Sequence, residues 1–351
     1  MRTEHALHVG DARDLALDDE SVELVVTSPP YPMIEMWDEV FAELDPGIGS
    51  ALEAGDGDAA FDRAHAVLDG VWAELERVLV DGGIACVNVG DATRTLADRF
   101  EVYPNHVRIT RAFRELGFDL LPDILWRKPA NSAAKFMGSG MVPPNAYPTL
   151  EHEHVLVFRK GGPRSFEPRS ERRYQSAYFW EERNRWFSDL WTDVRGTAQP
   201  LESDDLRERS GAFPFALPYR LINMFSAYGD RVLDPFWGTG TTTLAAMVAG
   251  RSSVGYELDD RFVEAFSDRL KGVEEFSRSV LEERLCAHRE FVERVGPEEL
   301  SYDAENYDVR VRTRQERRLQ LYTIEAVDET ESGYVVDYSP FEPNDAAEPP
   351  G

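Results

Sequence analysis

Short β-branched apolar runs alternate along this chain with amphipathic helical patterns, and that alternation restricts the fold more than any other feature. Seven such runs, each bounded by turn residues, fall near 5–9, 22–27, 84–89, 119–126, 153–158, 231–234 and 252–256. Helical periodicity covers 61–80, 105–116, 216–228 and 241–249. Strands that alternate with helices build a mostly parallel sheet with helices on its faces, so the expected class is α/β. The alternation stops between about 160 and 212, where Arg, Glu, aromatic and Gly/Pro residues dominate, and this segment reads as an insert. Residues 47–58, from Gly47 to Asp58, read as a mobile loop. After Glu257 one long charged helix is expected to about 295, then strand-like pieces near 308–325 and 333–338. The acidic, Pro-rich end from Phe341 onward is expected to be disordered.

Two motifs carry chemistry. The first, Val-Leu-Asp-Pro-Phe-Trp-Gly-Thr-Gly-Thr-Thr-Thr at 232–243, is a strand, a Gly-containing turn and a helix start. Glycines let the backbone approach a ligand closely, and a helix N-terminus offers free N–H groups. Glu257 follows about twenty residues later at the end of the next strand, where an acidic residue holds ribose hydroxyls in nucleotide-type folds. Neither a Gly-Lys-Ser/Thr phosphate loop nor a Gly-x-Gly-x-x-Gly dinucleotide turn is present, which disfavours an NTPase and an oxidoreductase. Asp234 would repel a pyrophosphate but suits the ammonium of a methionine moiety.

The second motif, Leu-Val-Val-Thr-Ser-Pro-Pro-Tyr at 24–31, runs a strand straight into a diproline turn. Consecutive prolines fix φ and remove N–H donors, leaving carbonyls free as acceptors. Ser28 and the Pro29 carbonyl are thus suited to accept hydrogen bonds from an amino group, with Pro30 stiffening the turn and Tyr31 stacked on the ring bearing that group.

Thr-Ser-Pro-Pro-Tyr together with Asp-Pro-Phe-x-Gly-x-Gly-Thr-Thr resembles the amino-methylating DNA methyltransferases, in the permuted class whose catalytic motif precedes the cofactor motif. The likeness extends over roughly residues 5–260. It implies a seven-stranded Rossmann-like S-adenosylmethionine-dependent methyltransferase fold, circularly permuted, with an inserted target-recognition region. The implied division is 1–160 and 213–260 for the methyltransferase domain, 161–212 for the recognition insert and 261–351 for a C-terminal extension. S-adenosylmethionine is the implied cofactor, held by Asp11, Asp234, Pro235, Phe236, Gly238, Gly240, Thr241 and Glu257, with Asp11 beside its adenine. Ser28, Pro29, Pro30 and Tyr31 are the implied catalytic residues. Phe213–Ile222 would wall the cofactor pocket, and Asn88, Asp91 and Trp126–Lys128 would line the target pocket. The implied substrate is a flipped-out base of double-stranded DNA, with a cognate restriction endonuclease as a conceivable companion. Ser before Pro-Pro-Tyr favours cytosine N4. Adenine N6 stays open, as does a non-catalytic DNA-binding protein of the same fold.

A formal charge of −27 argues at first against a polyanionic partner. Only four lysines occur, Lys128, Lys135, Lys160 and Lys271, and this acidic, lysine-poor balance reads as a halophilic surface screened by salt. Within it, residues 159–185 carry eight Arg or Lys against four Glu. Cys86 and Cys286 lack a preceding proline, which excludes cytosine-C5 chemistry through a Pro-Cys nucleophile, and both are expected to be buried. His152 and His154 flank Glu153, but no further ligand is evident around them and no metal is expected. With no apolar run long enough for a membrane span and no secretory pattern at Met1–His5, the expected location is the cytoplasm.

Overall fold

The computed structural model describes residues 1–128, 141–195 and 213–343, with the backbone of Met137–Gly138. Its central sheet has eleven strands: β1 (Arg2–Val9), β2 (Val22–Thr27), β3 (Leu79–Val89), β4 (Asp119–Leu120), β5 (Ile124–Arg127), β6 (His152–Arg159), β7 (Leu190–Trp191), β8 (Arg231–Asp234), β9 (Ser252–Glu257), β10 (Tyr322–Thr330) and β11 (Gly333–Pro340). Their spatial order is β7-β5-β6-β3-β2-β8-β9-β1-β11-β10, with β4 paired to β6. From β3 through β2, β8 and β9 to β1 every pairing is parallel. β6 runs antiparallel to both of its neighbours, β3 and β5.

All seven sequence-derived strands are in this sheet, in the order β1-β9-β8-β2-β3-β6-β5. The two that come late in the chain, β8 and β9, lie between β2 and β1, which is the permuted order that the resemblance implies. Parallel central strands are covered on both faces, which explains their continuous apolar runs. Helices α3 (Gly57–Val78) and α4 (Asn105–Glu115) cover one face through Leu68, Trp72, Leu75 and Phe113. On the other face α7 (Ala216–Phe225) and α8 (Thr241–Ala249) supply Leu217, Ile222, Ala245 and Met247.

Several expectations need correction. The loop expected over 47–58 is largely helical: after α1 (Asp38–Leu44), α2 spans Pro46–Glu53 and α3 begins at Gly57. Asp45 caps α2 by accepting from the Gly47 N–H at 2.9 Å, Pro46 occupies its first turn and Ile48 is buried. The strand expected over 119–126 breaks into β4 and β5 around Pro122. The long C-terminal helix is two, α9 (Asp260–Arg269) and α10 (Val273–Val295), divided at Gly272, whose φ of 76° is left-handed. Of the piece expected over 308–325 only Arg310–Val311 and the start of β10 are extended. Phe341, expected in a disordered tail, is buried, while the tail from 344 lies outside the described residues. Cys286 is half-buried, not buried.

The segment after β6 carries α5 (Glu171–Gln175) and α6 (Trp180–Trp186). Phe179 joins Leu281, Leu285, Tyr307 and Phe341 in a separate apolar cluster, and Glu182 pairs with Arg284 at 2.6 Å inside it. Trp186 and Trp191 are buried as core of this segment, whereas Trp180 is only half-buried. Part of its basic character is structural: Arg164 holds the fully buried Asp230 at 2.5 and 2.8 Å, and Arg159 pairs with Asp119 at 2.6 Å. Arg169, Arg172, Arg173, Arg183 and Arg185 remain exposed.

Candidate active site

The carboxyl ends of β8, β9, β1 and β2 and the amino end of the antiparallel β6 all lie on one edge of the sheet, where open α/β folds bind ligands. A cavity of about 710 Å³ opens there. It is lined by Asp11, Ser28, Pro29, Pro30, Tyr31, Asp234, Pro235, Phe236, Gly238, Thr241 and Glu257 together. Thus eleven of the twelve sequence-derived site residues meet in one space. Gly240 is the exception among them: its φ of 75° starts α8, and a Cβ there would lie 2.6 Å from the rings of Trp237 and Phe266. Gly255 is equally constrained, since a Cβ would come within 2.2 Å of the Trp237 ring.

At one end of the cavity stand two carboxylates with internal donors but, among the described residues, no ion-pair partner. Asp234 Oδ1 accepts from Thr27 Oγ1 at 2.6 Å and from the Phe236 N–H at 3.1 Å. Burial lifts its carboxyl to about 6, against the pull of these donors. Glu257 accepts from the N–H groups of Gly238 at 2.7 Å, Leu258 at 2.9 Å and Asp259 at 3.1 Å, and burial also raises its pKa. Asp11 sits at the rim, paired with Arg13 at 2.6 Å. The Gly-containing turn is further held by Arg269, whose guanidinium donates to the Thr239 carbonyl and, at 3.3 Å, to Thr241 Oγ1.

The other end is a hydrogen-bonded chain. Tyr31 donates to Glu153 Oε2 at 3.1 Å, and its oxygen accepts from Asn88 Nδ2 at 2.9 Å. Asn88 also donates to the same Glu153 oxygen at 2.7 Å, and Lys128 Nζ lies 2.5 Å from Glu153 Oε1. Ser28 Oγ is 3.0 Å from the Tyr31 hydroxyl. A phenol has one hydrogen, and here the carboxylate takes it. Ser28 must then donate to Tyr31, which leaves the serine lone pairs pointing outward as acceptors. Burial, with the Glu153 charge beside it, raises the Tyr31 pKa well above its ordinary value, so the phenol stays protonated. Asn105 fixes the loop from behind, donating to the carbonyls of Pro32 at 3.1 Å and Gly90 at 3.0 Å.

A family model described as DNA methylase, of the N6/N4 methyltransferases, matches residues 22–268. The chain belongs to the N6/N4 family of DNA methylases. The type II methyltransferase M.MthZI of Methanothermobacter thermautotrophicus is 50% identical to it over 327 residues, covering 92% of this chain and 91% of that protein. A putative DNA modification methylase from Thermus thermophilus, solved in complex with S-adenosylmethionine, is 35% identical with a TM-score of 0.59, covering 77% of this chain and 96% of that one. The cytosine-N4-specific PvuII DNA methyltransferase shares the fold, at 18% identity and a TM-score of 0.53 over 80% of this chain and 94% of its own.

The DNA methyltransferase uses S-adenosylmethionine, and its cavity suits that molecule: a zwitterionic, sulfonium-bearing nucleoside finds the buried Asp234, the half-buried Glu257 and a glycine turn open to backbone approach. Of the residues expected to line the target pocket, Lys128 lines this cavity and Asn88 donates to the Tyr31 hydroxyl. Trp126 is buried, donating to the Val194 carbonyl at 2.9 Å. Asp91 does not line the cavity, because its carboxylate is drawn to His106 Nδ1 at 2.8 Å. Phe213 reaches the cavity ahead of α7, and Leu217, Leu221 and Ile222 are core. Glu153 is the polar residue that sequence reasoning misses: the sequence presents it only as the spacer between two histidines, although an acidic residue inside an apolar strand is itself a signal. No described helix of the enzyme is long and apolar enough to cross a membrane.

Proposed function

We propose that the enzyme is a site-specific methyltransferase of double-stranded DNA, acting on the exocyclic N4 amino group of a flipped-out cytosine. The observation that carries this reading is the chain of contacts from Ser28 through Tyr31 to Glu153, in which the phenol donates to the carboxylate and Ser28 is thereby inferred to donate to the phenol. With its own hydrogen committed, Ser28 Oγ accepts from the amino group, and the Pro29 carbonyl supplies a second acceptor. Both oxygens stabilise positive charge developing on the amino nitrogen as it attacks the sulfonium methyl. Tyr31 packs its ring under the base, and its buried hydroxyl keeps that ring from turning away. At the cofactor end, Asp234 faces the ammonium group, Glu257 the ribose and Asp11 the adenine, while the sulfonium supplies the methyl group. Serine at position 28 is what favours cytosine over adenine.

The exposed arginines at 169–185 are suited to contact DNA phosphates in the recognition region. The charge of −27 fits a protein working in concentrated salt, where screening over about 3 Å at 1 M lets a local basic patch act. The test is to incubate the enzyme with methyl-labelled S-adenosylmethionine and unmethylated DNA, in low and in molar salt, and to identify the labelled nucleoside by mass spectrometry. N4-methylcytosine is expected. N6-methyladenine would overturn the base assignment, and absence of label in every condition would overturn the catalytic reading.

A further inference from the structure

Behind the target end of the cavity, three ligand-type side chains from three separate elements converge. Asp91 follows β3, His106 is the second residue of α4, and His154 lies in β6. One ligand atom from each lies within 4.8 Å of the other two. The two imidazole rings stack at 4.0 Å between centroids and are 9° from parallel. His106 Nδ1 is 2.8 Å from each Asp91 oxygen, and His154 Nδ1 is 3.3 Å from Asp123 Oδ2. His106 Nδ1 thus faces Asp91 and His154 Nδ1 faces Asp123, and either nitrogen of a neutral imidazole can present its lone pair to a cation.

A carboxylate beside two imidazoles is a nitrogen- and oxygen-bearing donor set of the kind that holds zinc.

We propose that Asp91, His106 and His154 form a binding site for a divalent cation of the zinc class. Metal–nitrogen bonds of about 2.0–2.1 Å require the donor atoms to close on one another, which side-chain rotation accomplishes once the cation replaces the Asp91–His106 hydrogen bond. His152, whose ring meets that of His154 edge-on at 5.1 Å, is the nearest further imidazole. The cation would tie together the three elements that support the target loop. Asp91 is adjacent to Gly90, whose carbonyl is bound by Asn105; Asn105 precedes His106 and also holds Pro32; and His154 is adjacent to Glu153. Loading the site therefore stiffens the base end of the cavity and leaves the cofactor end unchanged.

The experiment uses the full-length protein, stripped with a chelator and titrated with Zn²⁺ or Co²⁺ in a large excess of Mg²⁺. Magnesium occupies the many carboxylate sites of this acidic surface but competes poorly for nitrogen donors. One equivalent of Zn²⁺ per chain, a raised Tm and the visible absorption of low-coordinate Co²⁺ are expected. His106→Ala and His154→Ala should each weaken binding by at least about a hundredfold, with Cys286→Ser as the unchanged control. Asp91→Asn, which preserves volume, takes their place if circular dichroism shows either variant unfolded. No stoichiometric binding over Mg²⁺, or binding that survives these substitutions, would overturn the proposal.

Discussion

One end of the cavity holds the buried Asp234 and the half-buried Glu257, the other the buried Glu153, and they treat these carboxylates in opposite ways. At the proposed cofactor end Asp234 and Glu257 receive hydrogen bonds but, among the described residues, no cation, and burial raises both pKa values. At the base end Glu153 is held by Lys128, Asn88 and Tyr31 before any substrate arrives. On the proposed reading a positively charged ligand completes the first end. The second is complete, and its charge is used to set the direction of every hydrogen bond up to Ser28.

The sharpest way to break this contrast is Ser28→Ala, which removes the outward acceptor. A fall of about 10²–10³ in kcat with unchanged cofactor Kd is expected, by analogy with the loss of one group that stabilises developing charge. Equal losses in both would show that the two ends are not separable. Next in size, Asp234→Asn should weaken S-adenosylmethionine binding by about 10- to 100-fold, the worth of one hydrogen bond to a charged group, as read by calorimetry. Tyr31→Phe keeps the ring but cuts the chain to Glu153, so about a tenfold loss of kcat is expected; Tyr31→Ala, which also loses stacking worth about 1–3 kcal/mol, should cost more.

A pH titration sharpens the comparison further. With its folded carboxyl lifted from 3.8 to about 6, Asp234 keeps a proton in the free enzyme where the unfolded chain has released it. On this account the free enzyme gains stability as pH falls through that window. Cofactor binding needs the ionised form, so affinity should fall by up to about tenfold for each pH unit below 6. Urea unfolding and calorimetry across that range check the two opposite slopes. The smallest effect belongs to Arg13→Ala. Its pair with Asp11 is more than a third exposed, and its loss should change cofactor affinity by less than about threefold in fluorescence titration.

The same contrast governs what is legible in the sequence. The cofactor end is built from contiguous stretches, a strand, its glycine turn and the next strand, so local pattern alone locates Asp234, Gly238 and Glu257. Seven strands are readable because central parallel strands such as β2 and β3 are buried on both faces and spell unbroken apolar runs. The base end joins positions 28, 31, 88, 128 and 153, brought together by β-sheet register, and no local period reports which of them touch. Helix α2 escapes sequence reasoning for a different reason: three of its residues are Pro46, Gly47 and Gly49, and its stability comes from the Asp45 cap and buried Ile48. His106 lies 48 residues from His154, too far for any ligand-spacing rule to connect them.

The C-terminal hairpin of β10 and β11 has a bearing on how the chain avoids sticking to itself. Antiparallel β11 pairs with β1 from Arg2–Asp337 to Ala6–Gly333. Without it, β1 would be the last strand of the methyltransferase sheet, and its unpaired N–H and C=O groups would be a template for a second chain. The hairpin moves that boundary outward to β10, whose exposed positions include Glu325, Asp328 and Glu329. Charge there repels a would-be pairing strand. A chain ending before Tyr322 would keep both reactive motifs and still be expected to aggregate.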